Sequence, residues 1–198
     1  VLDEADRMLD MGFINDITDI FTNISRNRQS LFFSATMEPK IASLIEKFSR
    51  DPVTVSVKEG ATADSVSQDI VYYSGNEDRI AKLHDLLISG ACEKTIIFDD
   101  TKRSVERLGR ELNARGFRVD QIHGNKSQAQ RARAIKRLKM NEIDILVATD
   151  VAARGIDVSD ISHVVNFSAP NTYDDYVHRI GRTGRAGKTG KALTFLPK

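Results

Sequence analysis

Thr95-Ile96-Ile97-Phe98 and Ile145-Leu146-Val147-Ala148 are short apolar runs in which no polar residue alternates with the apolar ones. Such runs suit strands covered on both faces, as in a parallel sheet flanked by helices. Between them Val105, Leu108 and Leu112 recur at helical spacing, residues 119 to 122 suit another strand, and residues 127 to 140 suit a basic helix. Strands separated by helical segments of this length require crossover connections, and hence parallel pairing. Working outward, the same alternation extends upstream to a strand at 69 to 73 and a helix through Ile80, Leu83 and Leu87. Downstream it continues to strands at 163 to 167 and 192 to 196. The expected fold class is α/β, with a doubly wound parallel sheet.

The first sixty residues repeat the theme in abbreviated form. Val1-Leu2 reads as the end of a buried strand, and Phe13, Ile17, Ile20, Phe21 and Ile24 as a helix face. Leu31-Phe32-Phe33 is a short strand, and Ile41, Leu44, Ile45 and Phe48 form a second helix face. A further strand is expected at 53 to 57. Residues 58 to 67 carry charge, Gly, Ala, Thr and Ser without apolar periodicity, which marks a linker. The organisation expected is therefore 1–57 as the last part of one α/β domain, 58–67 as linker and 68–198 as a complete second domain.

The 198 residues are 40% hydrophobic and 29% charged, a globular composition. No apolar run approaches eighteen residues and no leader pattern opens the chain, so a cytoplasmic protein is expected. The single cysteine, Cys92, cannot form an internal disulfide, in keeping with a reducing compartment. The net charge of +1 is unevenly spread: residues 1 to 60 carry −3 and the remainder +4, and within 101 to 139 twelve Lys/Arg face three Asp/Glu. A local basic zone on a near-neutral chain is the footprint of one nucleic-acid-binding face.

Two stretches carry candidate chemistry. Asp3-Glu4-Ala5-Asp6 follows a strand at its carboxyl end, where ligands sit in open α/β sheets and where carboxylates can hold Mg²⁺ and orient a water. The bland alternative is an acidic helix start. His178-Arg179-Ile180-Gly181-Arg182-Thr183-Gly184-Arg185-Ala186-Gly187 would, as a helix, bring His178, Arg182 and Arg185 onto one face at i, i+4 and i+7. Guanidinium groups remain charged and match phosphate oxygens, so that face suits a polyphosphate. The bland alternative is a solvated basic helix end.

Taken together with Ser34-Ala35-Thr36, Ile96-Ile97-Phe98 with Thr101, Gln128 with Arg131, and Ala148-Thr149-Asp150 through Arg154-Gly155-Ile156-Asp157, these strings resemble the ordered motifs of the DEAD-box RNA helicases. The resemblance covers essentially the whole chain. Met8-Leu9-Asp10-Met11-Gly12-Phe13 and His123 to Gln128 look most like the bacterial RhlE-type branch. It implies two RecA-like domains closing over ATP on one side and single-stranded RNA on the other. Asp3 would hold Mg²⁺, largely through water, and Glu4 would position the attacking water. Asp6, Ser34, Thr36 and His178 would link nucleotide state to closure, and Arg182 and Arg185 would be the arginine fingers. Gly155 and Asp157 would face the nucleotide, while Gly124, Gln128, Arg131 and Thr149 would lie along the RNA backbone.

The Gly-rich phosphate cradle with its Lys and Ser/Thr is missing from these residues. Gly187-Lys188-Thr189 does not replace it, because the pattern G-x-x-x-x-G-K-[ST] requires Gly at 182, which is Arg182. The expectation is a fragment of an ATP-dependent RNA helicase that is inactive as an ATPase on its own. The alternatives are a weak RNA-binding or protein-docking module and a related DNA motor, the latter disfavoured by the Asp-Glu-Ala-Asp and Ser-Ala-Thr strings. Asp99-Asp100 places two carboxylates beside the basic zone without an evident role.

Overall fold

The computed structural model describes residues 1–56, 65–89, 92–153, 156–185 and 187–198. The chain divides into two compact units, Val1–Lys58 and Glu59–Lys198.

The first unit contains helices α1 (Ala5–Asp10), α2 (Ile14–Asn23) and α3 (Pro39–Phe48). A parallel bridge joins Leu2 to Phe32, extended by bonds from Leu2 N to Leu31 O and from Ala5 N to Phe33 O. Ile17, Ile41 and Leu44 are buried, and Phe21 stacks on both Phe32 and Phe48 with ring centroids 5.6 and 4.7 Å apart. The expected strand at 53 to 57 is not formed by residues 53–56; Val53 and Val55 are 88% and 82% exposed. A strand needs a ladder partner, and no described segment pairs with these residues.

The described residues of the second unit form a six-stranded, all-parallel sheet. Its elements are β1 (Val66–Tyr73), α4 (Gly75–Ile88), β2 (Thr95–Phe98), α5 (Lys102–Ala114), β3 (Val119–Ile122), α6 (Gln128–Lys139), β4 (Ile145–Ala148), α7 (Asp150–Ala153), β5 (His163–Asn166), α8 (Tyr173–Ile180) and β6 (Gly190–Pro197). The strand order is β1-β6-β5-β2-β4-β3. Strand β1 starts at Val66, paired with Gly190, so two residues expected in the linker belong to the sheet; residues 57–64 lie outside the described residues.

Strand pleating divides the apolar residues between two layers. Ile96, Leu146 and Val164 point to one core with Ala134 and Leu138 of α6. Ile97, Val147 and Val165 point to the other with Leu83 and Leu87 of α4 and Leu108 and Leu112 of α5. Helix starts are fixed by capping boxes: Thr101 with Ser104 opens α5, and Ser127 with Gln130 opens α6. The edge strand β1 is blunted. The Asp69 carboxylate accepts the Ile70 N–H at 2.8 Å, and Lys82 Nζ donates to the Tyr72 carbonyl at 2.6 Å, occupying groups that another strand would use.

Candidate functional site

In the first unit, the Leu2–Phe32 bridge sets the turn at Asp3-Glu4 beside the loop after Phe33. The Glu4 N–H donates to Asp3 Oδ1 at 2.9 Å, and Glu4 adopts a left-handed conformation with φ 50°. A non-glycine residue held there is strained, and such strain concentrates at functional positions. Asp3 is exposed and Glu4 half-buried.

Asp6 is buried and works as a clasp. Its Oδ2 accepts the N–H groups of Ala35 and Thr36 at 3.0 Å each and the Thr36 hydroxyl at 3.4 Å, while Oδ1 accepts Arg7 N–H at 2.9 Å. Burial by itself raises the carboxyl pKa. The bonds from Arg7, Thr36, Ser34 and Ala35 outweigh it and hold Asp6 below the ordinary carboxylate range. Asp6, Ser34 and Thr36 are thus brought together, and Ser34 Oγ also donates to the Thr36 carbonyl at 2.7 Å. Neither Ser34 nor Thr36 caps α3, whose N-cap is Glu38.

In the second unit, the carboxyl ends of β3 and β4 gather the four candidate RNA-facing residues. Gly124 follows β3 and is exposed, with nothing within 4 Å of where a Cβ would stand. Thr149 follows β4 and donates its N–H to Ile122 O at 3.3 Å. Gln128 and Arg131 share the first turn of α6. Arg131 Nη1 donates to Gln128 Oε1 at 3.3 Å, and its Nη2 donates to the Ala152 carbonyl at 3.0 Å. On α5, which packs on the other face of the sheet, Lys102, Arg103 and Arg107 are exposed, as are Arg133 and Lys136 of α6.

The arginine stretch differs from the expected single helical face. Helix α8 stops at Ile180 with Gly181 as its C-cap, and Gly184 has φ 67°, so Arg182 and Arg185 lie in turns beyond the helix that carries His178. Backbone carbonyls bring the two together instead. Arg182 Nη1 and Arg185 Nη1 both donate to Ile156 O, at 3.1 and 3.4 Å, while their Nε groups donate to His178 O at 3.2 Å and Gly181 O at 2.7 Å. Both remain half-buried, as does His178. The Asp157 side chain is 88% exposed, 3.9 Å from Lys139 Nζ. Gly155 lies outside the described residues.

The helicase conserved C-terminal domain matches residues 78–187, and the DEAD/DEAH box helicase family matches residues 1–44. The chain belongs to the DEAD-box RNA helicase family. The Bacillus subtilis DEAD-box ATP-dependent RNA helicase CshA is 46% identical over 99% of this chain and 40% of its own length. The Shewanella amazonensis ATP-dependent RNA helicase RhlB is 43% identical over 91% of this chain and 42% of its own. The crystallised DEAD box protein of Methanococcus jannaschii is 41% identical, with a TM-score of 0.64 over all of this chain and 53% of that one. Saccharomyces cerevisiae Dbp5 bound to RNA and ADP BeF3 is 29% identical, with a TM-score of 0.85 over all of this chain and 52% of that one. The chain thus spans about 40% of the length of the curated relatives it matches, and its fold is RecA-like.

Within this DEAD-box chain, one residue of the arginine stretch has a place that helical spacing did not reveal. Arg179 is 1% exposed. It donates from Nε to Asp150 Oδ1 at 2.6 Å, from Nη2 to Asp150 Oδ2 at 2.8 Å and from Nη1 to Ser168 O at 2.6 Å, and its guanidinium lies 5.2 Å from the Phe98 ring centroid. Those partners follow or end β4, β5 and β2, the strands between which the winding reverses. Open α/β sheets bind ligands at such a reversal, and here a side chain of the protein's own fills it. Asp99 completes the arrangement. It is buried and accepts the Asp100 N–H at 3.0 Å and the Ser168 hydroxyl, which ties the end of β2 to that of β5.

Proposed function

We propose that this chain is part of an ATP-dependent RNA helicase that couples ATP hydrolysis to unwinding or remodelling RNA, with residues 1–57 and 68–198 belonging to its two RecA-like domains. The observation that carries the reading is the joint presence of the strained Asp3-Glu4 turn, the Asp6 clasp on Ala35-Thr36, and the Arg182/Arg185 pair converging on Ile156 O. Relatives named as ATP-dependent RNA helicases support it.

The proposed roles follow from what each group can do. Phosphoryl transfer depends on positioning and charge stabilisation more than on covalent chemistry by the protein. Glu4 orients the attacking water, and Arg182 and Arg185 stabilise charge that develops on the transferred group. Asp6, Ser34, Thr36 and His178 respond to the nucleotide, and Asp157 and Gly155 contact it. Bound Mg²⁺ supplies charge neutralisation, and the exposed Asp3 carboxylate fits it. Among the described residues no group of three or more His, Cys, Asp or Glu could cage a metal; Mg²⁺ held by one carboxylate, waters and phosphates needs no such cage. Gly124, Gln128, Arg131 and Thr149 grip the RNA sugar-phosphate backbone without reading bases.

The 198 residues by themselves contain no phosphate-cradling Gly-rich loop, and the reading therefore has them inactive as an ATPase in isolation. It places the protein in the cytoplasm, and no described helix is long and apolar enough to cross a membrane. Kinship with the RhlE-type branch rests on residues 8–13 and 123–128 alone. The test is Glu4→Gln in the whole protein: RNA-stimulated hydrolysis should fall by at least a hundredfold with ATP binding retained. Undiminished hydrolysis would leave a weak RNA-binding or docking module as the better account.

A further inference from the structure

The RNA-gripping turn after β3 is built around a buried histidine. His123 is 1% exposed. Its carbonyl accepts the Lys126 N–H at 2.9 Å, closing the turn on which Gly124 and Asn125 are the central residues. Its ring supports the same turn from beneath, because the Asn125 N–H donates to His123 Nδ1 at 3.3 Å. Lys102 Nζ donates to Asn125 Oδ1 at 3.2 Å and ties the turn to the start of α5.

An Nδ1 that accepts a hydrogen bond carries no proton, which assigns the ring hydrogen to Nε2. Nε2 faces Glu106 Oε1 of α5 at 3.3 Å, without the alignment of a hydrogen bond. The charged groups around the ring are Glu106 and Lys102 from α5 and Lys126 from the turn itself. Burial foremost, then Lys126 and Lys102, favour the neutral ring, and Glu106 opposes them.

We infer that His123 is a positioning residue for RNA binding: its neutral imidazole holds the Gly124-Asn125 turn in the shape that grips the RNA backbone, and protonation of Nδ1 releases that grip. Protonation places an N–H donor against the Asn125 N–H donor, so the turn must open or rotate. The effect reaches the RNA through Gly124, whose open surroundings let a phosphate approach the backbone closely. This inference rests on the RNA-binding reading of Gly124, Gln128, Arg131 and Thr149 given above.

The test is fluorescence anisotropy of a ten-nucleotide single-stranded RNA with the full chain at pH 7.5 and pH 5.5. Wild type is compared with His123→Asn, His123→Phe and Arg131→Ala, and thermal unfolding confirms that each variant is folded at both pH values. Wild type should lose affinity at pH 5.5, by a factor below the roughly tenfold that a histidine of ordinary pKa would give one unit under it, because burial holds His123 lower. His123→Asn, whose Oδ1 accepts near the position of Nδ1 and does not titrate, should bind within about twofold of wild type at pH 7.5 and lose markedly less on acidification. His123→Phe keeps volume without an acceptor and should bind weakly at both pH values. If wild type binds no RNA, or Arg131→Ala binds as tightly as wild type, the RNA-binding reading itself fails. If binding requires Arg131 while His123→Phe matches wild type, or His123→Asn keeps the wild-type pH slope, the positioning role of His123 is overturned alone.

Discussion

Arg179 and Asp150 meet as a two-pronged pair, Nε to Oδ1 at 2.6 Å and Nη2 to Oδ2 at 2.8 Å, with the arginine side chain 1% exposed. The contact joins α8, which leads into Arg182 and Arg185, to the start of α7, next to Thr149. One buried bridge thus connects the segment assigned to nucleotide with the segment assigned to RNA.

Removing the buried Arg179 side chain opens a cavity and leaves the half-buried Asp150 carboxylate and the Ser168 carbonyl without their donor. Arg179→Ala should therefore destabilise the second unit by about 3–5 kcal/mol, measured by urea unfolding followed by circular dichroism. The double variant Arg179→Met with Asp150→Leu should recover much of that loss. A single variant within about 1 kcal/mol of wild type would mean that water reaches the bridge freely.

Two glycines make a contrasting pair. A Cβ on Gly190 would stand 2.1 Å from Thr183 Oγ1 and 2.7 Å from the Gly184 nitrogen, and the latter is backbone that cannot swing aside. Gly190→Ala should cost about 1–3 kcal/mol through overpacking. Gly124→Ala meets nothing within 4 Å, so stability should change by less than about 0.5 kcal/mol while RNA affinity falls. Thermal unfolding and RNA titration of the two variants separate the effects.

Acid should weaken the second unit before its carboxylates titrate. His163 is buried in β5 beside Lys191, and His123 lies beneath its turn. Burial first, then neighbouring lysines, depress both below their ordinary 6.5. Between the folded pKa and 6.5 the unfolded chain binds more protons, so stability is complete above that window and is lost as pH falls through it. His163→Gln should flatten this dependence in unfolding measurements at pH 7.5, 6.0 and 5.0. An unchanged slope in a His163→Gln, His123→Asn double variant would assign the effect elsewhere.

Much of this arrangement is legible from residue order, and the exceptions share a cause. Thr95 to Phe98 and Ile145 to Ala148 announce strands buried on both faces because no polar residue interrupts them, and the sheet puts them side by side. Val105, Leu108 and Leu112 announce the inner face of α5, and all three are buried. The 3.6-residue period placed His178, Arg182 and Arg185 on one face, but Gly181 ends the helix first, and what unites the two arginines is a carbonyl, that of Ile156, 26 and 29 residues away. No spacing singles out Arg179 as the buried member, since its partners Asp150 and Ser168 lie 29 and 11 residues away in sequence. Asp99 had no evident role for the same reason, its partner Ser168 being 69 residues distant. Apolar periodicity reports what a segment buries, whereas a buried charge is explained only by partners that the fold delivers.

The most direct test of the central claim is RNA-stimulated ATP hydrolysis by the whole protein, wild type beside Arg182→Ala and Arg185→Ala. Each variant should lose two or more orders of magnitude in turnover, on the order expected for an arginine finger, while retaining RNA binding. Hydrolysis that survives both substitutions would contradict the account and make Arg182 and Arg185 a basic surface anchored to Ile156 O.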